Sequence, residues 1–126
     1  MVKWVCYLSN GEPDMWTAWL RAQNVAVKAR HAVVMRFLIA GHWQRPHFRP
    51  LTGRHVKGLG EIRVGAEVEW RLIGNRNAAA DTFTLLVICN HKEGIYKPHD
   101  TFETAMQRWK EMRGGLKGIE LNAHPG

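Results

Sequence analysis

The chain has 126 residues, 45% of them apolar, and this length and composition suit one domain with its own hydrophobic core. Eighteen lysines and arginines outnumber eleven aspartates and glutamates, and the net charge of +7 favours an anionic partner: RNA, DNA or an acidic protein segment. No apolar run approaches the roughly 20 residues of a membrane-spanning helix, and the N-terminus lacks a signal-peptide pattern. We therefore expect no membrane association.

The cysteines and histidines do not follow a metal-binding pattern. Cys6 and Cys89 lie far apart in apolar stretches, and we expect two buried free thiols in a reducing cytoplasm. A Cys6–Cys89 disulfide is the less favoured alternative. None of the seven histidines forms a His-x3-His pair on a helix or accompanies a Cys-x2-Cys motif. We expect surface imidazoles, no structural metal and no cofactor.

The first third of the chain predicts one strand followed by helices. Residues 3–9 (KWVCYLS) are rich in β-formers, and residues 10–13 (NGEP) are a strong turn signal. Asp14 is placed to cap a helix that begins at Met15. A second helical pattern ends at Gly41, and one bent helix would also fit. Its expected apolar stripe consists of Val25, Ala29, Val33, Phe37 and Ala40.

Residues 42–57 (HWQRPHFRPLTGRHVK) predict a basic connecting loop, because they contain two prolines and a glycine and show little periodicity. Basic and aromatic residues alternate irregularly along this loop. Such a segment suits nucleic-acid binding, although solvated loops are often basic without any ligand.

The next segment predicts a β-hairpin with two arginines on one face. In residues 61–64 and 68–73, apolar and charged residues alternate, as in strands that bury one face. A three-residue loop at residues 65–67 keeps both apolar rows on one side. The expected pairs are Val64 with Val68, Arg63 with Glu69, Ile62 with Trp70, and Glu61 with Arg71.

Arg63 and Arg71 would therefore lie together on a face that we expect to be open to solvent. The guanidinium fork matches phosphate oxygens, so this face would suit phosphate recognition. The alternative that needs no ligand is a pair of cross-strand salt bridges, each worth roughly 0.2–1 kcal/mol.

The last third of the chain predicts a central strand and a helix. Residues 82–89 (TFTLLVIC) suit a strand covered on both faces, and residues 90–98 a polar turn. Asp100 and Glu103 form a capping-box pattern. The helix stripe that follows consists of Phe102, Ala105, Met106, Trp109 and Met112. Residues 114–126 are expected to be a mobile tail.

The order of these elements predicts a single α+β domain over residues 1–113. We expect the N-terminal helices to pack on a small, mainly antiparallel sheet of about four strands, with the C-terminal helix completing the domain. The ordered motifs resemble the RelE/ParE toxin superfamily, in particular its phage-derived, HigB-like branch, over about residues 15–113. Those motifs are residues 58–63 (GLGEIR), 70–73 (WRLI), 85–88 (LLVI), 91–92 (HK), 97–98 (KP) and 105–108 (AMQR).

The resemblance implies a toxin of a type II toxin–antitoxin system, an endoribonuclease that cleaves messenger RNA, usually on the ribosome, without metal. The RNA 2′-hydroxyl attacks the neighbouring phosphate and leaves a 2′,3′-cyclic phosphate and a free 5′-hydroxyl. The reaction needs a proton acceptor, charge stabilisation of the phosphorane and a proton for the leaving oxygen. A cognate antitoxin, expected to be a helix-turn-helix protein, would form a hetero-oligomer with the toxin in the cytoplasm.

The resemblance also assigns catalytic candidates, position by position. Arg71 is the first choice for holding the scissile phosphate, and Arg63 is the second. Lys92 matches the basic position that assists the leaving group in relatives. His91 stands where relatives carry a second lysine, and it is a candidate acid or base with a plain surface histidine as the alternative.

The candidate substrate contacts flank these positions. Tyr96 and Lys97 are candidates for proton transfer or base stacking, and packing of Tyr96 on the last helix is the alternative. His55 and Lys57, just before the hairpin, are candidate contacts to messenger or ribosomal RNA. Two other functions stay open: a ParE-like toxin that inhibits gyrase or another protein by binding alone, and a harmless nucleic-acid-binding domain.

Overall fold

The computed structural model describes residues 1–8, 13–115 and 118–121. These residues form an α+β domain, and none of their helices is long and apolar enough to cross a membrane. The helices are α1 (Met15–Arg21), α2 (Val25–Ile39) and α3 (Thr101–Arg113), with one 3₁₀ turn at Arg54–Val56. The strands are β1 (Lys3–Tyr7), β2 (Phe48–Pro50), β3 (Gly60–Gly65), β4 (Glu69–Asn77), β5 (Thr82–Lys92), β6 (Ile95–Lys97) and β7 (Gly118–Leu121).

The sheet is mainly antiparallel, as expected, but the described residues contribute seven strands rather than about four. The strand order is β2-β3-β4-β5-β1-β7, and β6 pairs with the far end of β5. Only the β1–β5 pairing is parallel. The unpredicted strands are β2, β6 and β7, of three or four residues each. Segments this short carry too little alternation for their sequence to identify them.

Two segments with predicted irregular structure belong to the sheet. The central strand continues past Cys89 to Lys92 and turns directly into β6, where a polar turn was expected. Gly118–Leu121, inside the expected mobile tail, pairs antiparallel with β1. The remaining tail positions 116–117 and 122–126 lie outside the described residues, as do residues 9–12 of the predicted first turn.

One side of the sheet, here the α2 side, packs against α1 and α2. Asp14 caps α1 as predicted, accepting a hydrogen bond from the backbone N–H of Thr17. The two helices are separate, because Asn24 caps α2 in the same way through Val27. The core on this side includes Trp4, Cys6, Trp16, Val34, Ile62, Val64, Leu72, Phe83 and Leu85.

The predicted packing face of α2 is wrong. Val25 and Phe37, from the expected apolar stripe, are 83% and 43% exposed. The buried face consists instead of Val27, His31, Val34, Met35 and Leu38. Apolar residues occur on every side of this helix, so their spacing alone does not select the buried face.

Two histidines are buried rather than on the surface as expected. The indole N–H of Trp16 donates to Nε2 of His31 at 3.1 Å inside the core. The ring of His47 stacks on Phe37, with 4.2 Å between ring centroids. Both cysteines are buried free thiols, which confirms that prediction.

The opposite side of the sheet, here the α3 side, packs against α3 through the predicted helix stripe. Ala105 is buried against the sheet, with Phe102 and Trp109 half-buried beside it. The predicted capping box is absent, because the side chain of Asp100 makes no capping hydrogen bond. The hydroxyl of Thr101 donates to the carbonyl oxygen of Pro98 instead.

The β3–β4 hairpin has a different register from the predicted one. Its pairs include Glu61–Ile73, Ile62–Leu72, Arg63–Arg71, Val64–Trp70 and Gly65–Glu69. The loop has three residues as predicted, but it occupies positions 66–68, so Val68 is exposed instead of facing Val64. The shift is two residues, and an even shift keeps every side chain on its expected side of the sheet.

Candidate functional site

A fully buried carboxylate, that of Glu61, organises the polar part of the α3 side. Its Oε1 accepts hydrogen bonds from Nη2 of Arg49 and from the phenol of Tyr96, each at 2.8 Å. Its Oε2 lies 2.8 Å from Nε of Arg71 and 3.8 Å from Nε of Arg63. We call these five residues the Glu61 cluster.

The strand register explains how the cluster forms. Arg49 on β2 faces Glu61 on β3, while Arg63 on β3 faces Arg71 on β4. Two arginines directly opposite each other repel, and the carboxylate two residues along β3 offsets this repulsion. An unpaired carboxylate at this depth would be strongly disfavoured, so the arginines and Glu61 require one another.

The hydrogen bond between Tyr96 and Glu61 also reveals the curvature of the sheet. Tyr96 lies on β6 and Glu61 on β3, with β4 and β5 between them. Three strand steps span about 14 Å in a flat sheet, and the positions are also offset by four residues along β5, since Glu61 aligns through Ile73 with Val87 whereas Tyr96 aligns with His91. Their Cα atoms would then lie about 19 Å apart, farther than the two side chains can reach. The sheet must therefore curl toward its α3 side for the phenol and the carboxylate to meet at 2.8 Å. The Glu61 cluster lies on a concave surface.

Arg71 does not face solvent, which corrects the expectation for the first-choice phosphate ligand. The residue is 6% exposed. Besides Glu61, its guanidinium contacts a carboxylate oxygen of Glu69 at 3.2 Å and donates to the carbonyl oxygen of Trp70 at 3.0 Å. Arg71 is thus an interior member of the cluster.

Arg63 and Arg49 are the accessible cations of the cluster. Their side chains are 28% and 35% exposed. Among the described residues, the 3.8 Å ion pair with Glu61 is the only polar contact of the Arg63 side chain, and its Nε makes no hydrogen bond, so the guanidinium is available to a ligand. Arg49 was not predicted, because its strand has only three residues and no alternation that separates it from the basic loop.

A line of aromatic rings borders the cluster on the α3 side. The ring centroids of His91 and Tyr96 lie 4.6 Å apart, those of Tyr96 and Phe102 4.7 Å, and those of Phe102 and His55 6.1 Å. We call these four residues the aromatic row. The structure therefore brings together five predicted site residues (Arg63, Arg71, His91, Tyr96 and His55) and adds Phe102, which the sequence pattern assigned to packing alone.

The predicted lysines do not join this surface. In the β5–β6 hairpin, His91 pairs with Tyr96, whereas Lys92 pairs with Ile95 and Lys97 with Asn90. Because successive strand residues point to opposite sides, Lys92 and Lys97 project toward the α2 side. Lys57 is exposed just after the 3₁₀ turn that carries His55.

The surroundings of Tyr96 and Arg49 in the cluster determine their protonation states. Burial raises the pKa of Tyr96 to about 12, and its hydrogen bond to Glu61 acts in the same direction. The phenol is therefore neutral near pH 7 and acts as a proton donor. The hydrogen bond to Glu61 also raises the pKa of Arg49, which stays cationic. The site thus combines fixed positive charge with a proton held on Tyr96.

The part of the chain that the structure describes contains no group of three or more His, Cys, Asp or Glu side chains placed to hold a metal ion. Comparison of the chain with protein-family models and with curated proteins finds no match. The resemblance to the RelE/ParE superfamily rests on the ordered motifs of the sequence.

Proposed function

We propose that this protein is an endoribonuclease toxin of a type II toxin–antitoxin system. It would act in the cytoplasm on messenger RNA, on the ribosome, and a cognate helix-turn-helix antitoxin would neutralise it in a hetero-oligomer. The observation that carries the proposal is the concave surface where the accessible side chain of Arg63 lies in the same cluster as Tyr96 of the aromatic row.

Arg63 would bind the phosphate, and Arg49, which also contacts Glu61, would lie next to it. The terminal amino groups of Arg63 are free to form a bidentate contact with phosphate oxygens. Arg71 is buried and contacts Oε2 of Glu61 at 2.8 Å, so its role is to position the cluster. Charge donors of this kind act on the developing phosphorane, where one such donor typically contributes ~10²–10³ in rate.

The aromatic row suits the bases of single-stranded RNA. Bases stack on aromatic rings regardless of sequence, and each stack contributes about 1–3 kcal/mol. The row extends from His91 through Tyr96 and Phe102 to exposed His55, with Lys57 close by in sequence. A single strand lying along it would present its backbone to Arg63 and Arg49.

Proton transfer would involve His91 and Tyr96. His91, whose ring lies beside that of Tyr96, would accept the proton of the 2′-hydroxyl as that oxygen attacks. Tyr96, which is protonated near pH 7, would give up its hydrogen bond to Glu61 and protonate the departing 5′-oxygen. Lys92 and Lys97 project from the other side of the sheet, so we assign them no chemical step.

A non-catalytic toxin that inhibits gyrase or another protein by binding is the second candidate. The observation that favours it is the burial of Glu61 and Arg71, which cancels part of the positive charge within the cluster. The two functions differ in cells. Messenger RNA loss with intact DNA supports the nuclease, and DNA breaks without RNA cleavage support the inhibitor.

A cleavage assay tests the proposal. Purified protein is incubated with messenger RNA bound to intact ribosomes in a Mg²⁺ buffer, and the product ends are analysed. We expect 2′,3′-cyclic phosphate and 5′-hydroxyl ends. His91→Ala should slow cleavage, whereas the matched variant His42→Ala, an exposed histidine at the end of α2, should not. Intact RNA under these conditions, together with growth arrest in cells, would exclude the nuclease.

A further inference from the structure

α2 is apolar on the face that it turns to solvent. Val25, Ala29, Val33 and Phe37 recur at steps of four, so they lie along one side of the helix, and we call them the outer stripe. Val25 and Phe37 are the most exposed large apolar residues of the helix, at 83% and 43%. Ala29 is exposed and Val33 is half-buried.

α2 exposes these apolar residues although it also has a packed face. The inward face of α2 is fully occupied in the core on the α2 side. The exposed positions of α3 show the ordinary pattern, since Glu103, Gln107 and Lys110 are all polar. A helix that is apolar on all sides is normally buried on all sides. α2 is thus a helix with one covered and one uncovered apolar face.

The charges on and beside the outer stripe are all positive, since Arg36 lies within it and Lys28 and Arg30 flank it. Lys28, Arg30 and Arg36 are the charged residues of α2. The sequence contains no aspartate or glutamate between Asp14 and Glu61. A partner that covers the stripe would therefore bring carboxylates to its edges.

The same charges argue against a second copy of this chain as the partner. A twofold contact through the outer stripe would bring this all-positive patch against itself, because such an interface uses the same patch twice. RNA fits the cations but not the stripe, since valine and alanine offer neither ring faces nor hydrogen-bond donors to bases, and the ring of Phe37 is already stacked on His47.

We propose that the outer stripe is a docking surface for an acidic amphipathic helix of another protein. Small or aliphatic residues of that helix would pack on Ala29 and Val33, where the short side chains permit a close approach of the two axes. Its carboxylates would pair with Lys28, Arg30 and Arg36. The Glu61 cluster lies on the other side of the sheet, so the docked helix would leave it open.

A synthetic peptide as long as α2, with leucine and alanine on one face and glutamate on both flanks, provides the probe. We expect isothermal titration calorimetry to show binding to the wild-type protein. Ala29→Glu should weaken it about tenfold or more, because one well-packed anchor is typically worth that much. The matched variant Gln107→Glu adds the same charge to the outside of α3 and should bind as the wild type does. A peptide with lysine in place of glutamate should bind at least about tenfold more weakly.

Several results would overturn the proposal. These are absence of peptide binding to the wild type, equal binding by Ala29→Glu, or equal binding of the lysine peptide. A dimer in sedimentation equilibrium that Ala29→Glu dissociates would identify a second copy as the partner. Loss of oligouridylate binding in Ala29→Glu would identify RNA. RNA cleavage is not a readout here, so the outcome is independent of the proposed function.

Discussion

The phenol of Tyr96 donates a hydrogen bond of 2.8 Å to the carboxylate of Glu61, although two strands of the sheet separate their own strands. This contact joins the β5–β6 hairpin to β3 across the concave surface. It also ties the aromatic row to the arginines, because Tyr96 belongs to both groups. The stability of the cluster and the geometry of the candidate site are therefore linked.

Removal of Arg71 should destabilise the fold. Arg71→Ala leaves Glu61 without the 2.8 Å partner of its Oε2, and breaking a buried ion pair on one side costs about 3 kcal/mol. Urea unfolding followed by circular dichroism measures the change. In a double-mutant cycle, Glu61→Ala and Arg71→Ala should together cost less than the sum of the single changes. Additive losses would contradict the pairing.

Removal of the Tyr96 hydroxyl should change the alkaline stability. An unfolded tyrosine ionises near pH 10, whereas the pKa of Tyr96 in the folded protein is raised to about 12. Between about pH 10 and 12, the unfolded chain therefore releases a proton that the folded chain retains. The contribution of Tyr96 is fully present below about pH 10 and is lost as the pH rises to about 12.

Tyr96→Phe lacks this contribution and keeps the ring. Its free energy of unfolding should be lower than that of the wild type near neutral pH and should fall less steeply between about pH 10 and 12. Urea midpoints across this range measure both effects. All other titratable groups are common to both proteins, so the difference reports Tyr96. Parallel pH curves would show that the hydroxyl is not held as the structure indicates.

The sequence predicted which side of the sheet the strand residues of the hairpin occupy, because apolar and charged residues alternate in residues 61–64 and 69–72; Val68, which lies in the loop, is the exception. It did not predict the register, since residues 65–67 and 66–68 both form a three-residue loop and keep the same facing. Thus Arg63 and Arg71 were correctly placed together, but the partner of each was wrong.

Local sequence patterns could not predict that Glu61 and Arg71 are buried. The residues that close over them are Arg49 and Tyr96, which come from three-residue strands distant in the chain. A charged face is normally solvated, so its alternation predicts exposure. Only the curvature of the whole sheet turns that face inward. In α2 the sequence was ambiguous for the opposite reason. Its apolar residues occur on all sides of the helix, so their pattern does not indicate which face is buried.

Gly74 should not tolerate a side chain. It follows the register shift in β4, and a Cβ at this position would collide with the backbone carbonyl oxygen of Thr84 and with the ring of Phe83. Because backbone cannot yield easily, we expect Gly74→Ala to cost at least about 2 kcal/mol. Gly114→Ala is the matched control, since φ at Gly114 is −78° and the nearest oxygen lies 3.3 Å from its Cβ position. Thermal unfolding of the two variants compares them directly.

Arg63→Ala should separate catalysis from stability. Arg63 has a loose ion pair with Glu61 at 3.8 Å and a side chain that is 28% exposed, so its removal should cost no more than about 1 kcal/mol of stability. RNA cleavage should nevertheless fall by ~10²–10³, because the accessible phosphate ligand is lost. Arg21→Ala, an exposed arginine at the end of α1, removes the same charge from the other side of the sheet and should cleave normally.

Primer extension on messenger RNA after induction, with protein levels matched, measures the effect of both variants. Arg63→Lys should recover part of the rate, because it restores the charge without the bidentate fork. If Arg63→Ala cleaved as fast as Arg21→Ala, the phosphate would have to bind elsewhere. The exposed lysines of the β5–β6 hairpin, Lys92 and Lys97, would then become the next candidates. They reach solvent from the α2 side, and the substrate would have to approach that side of the sheet.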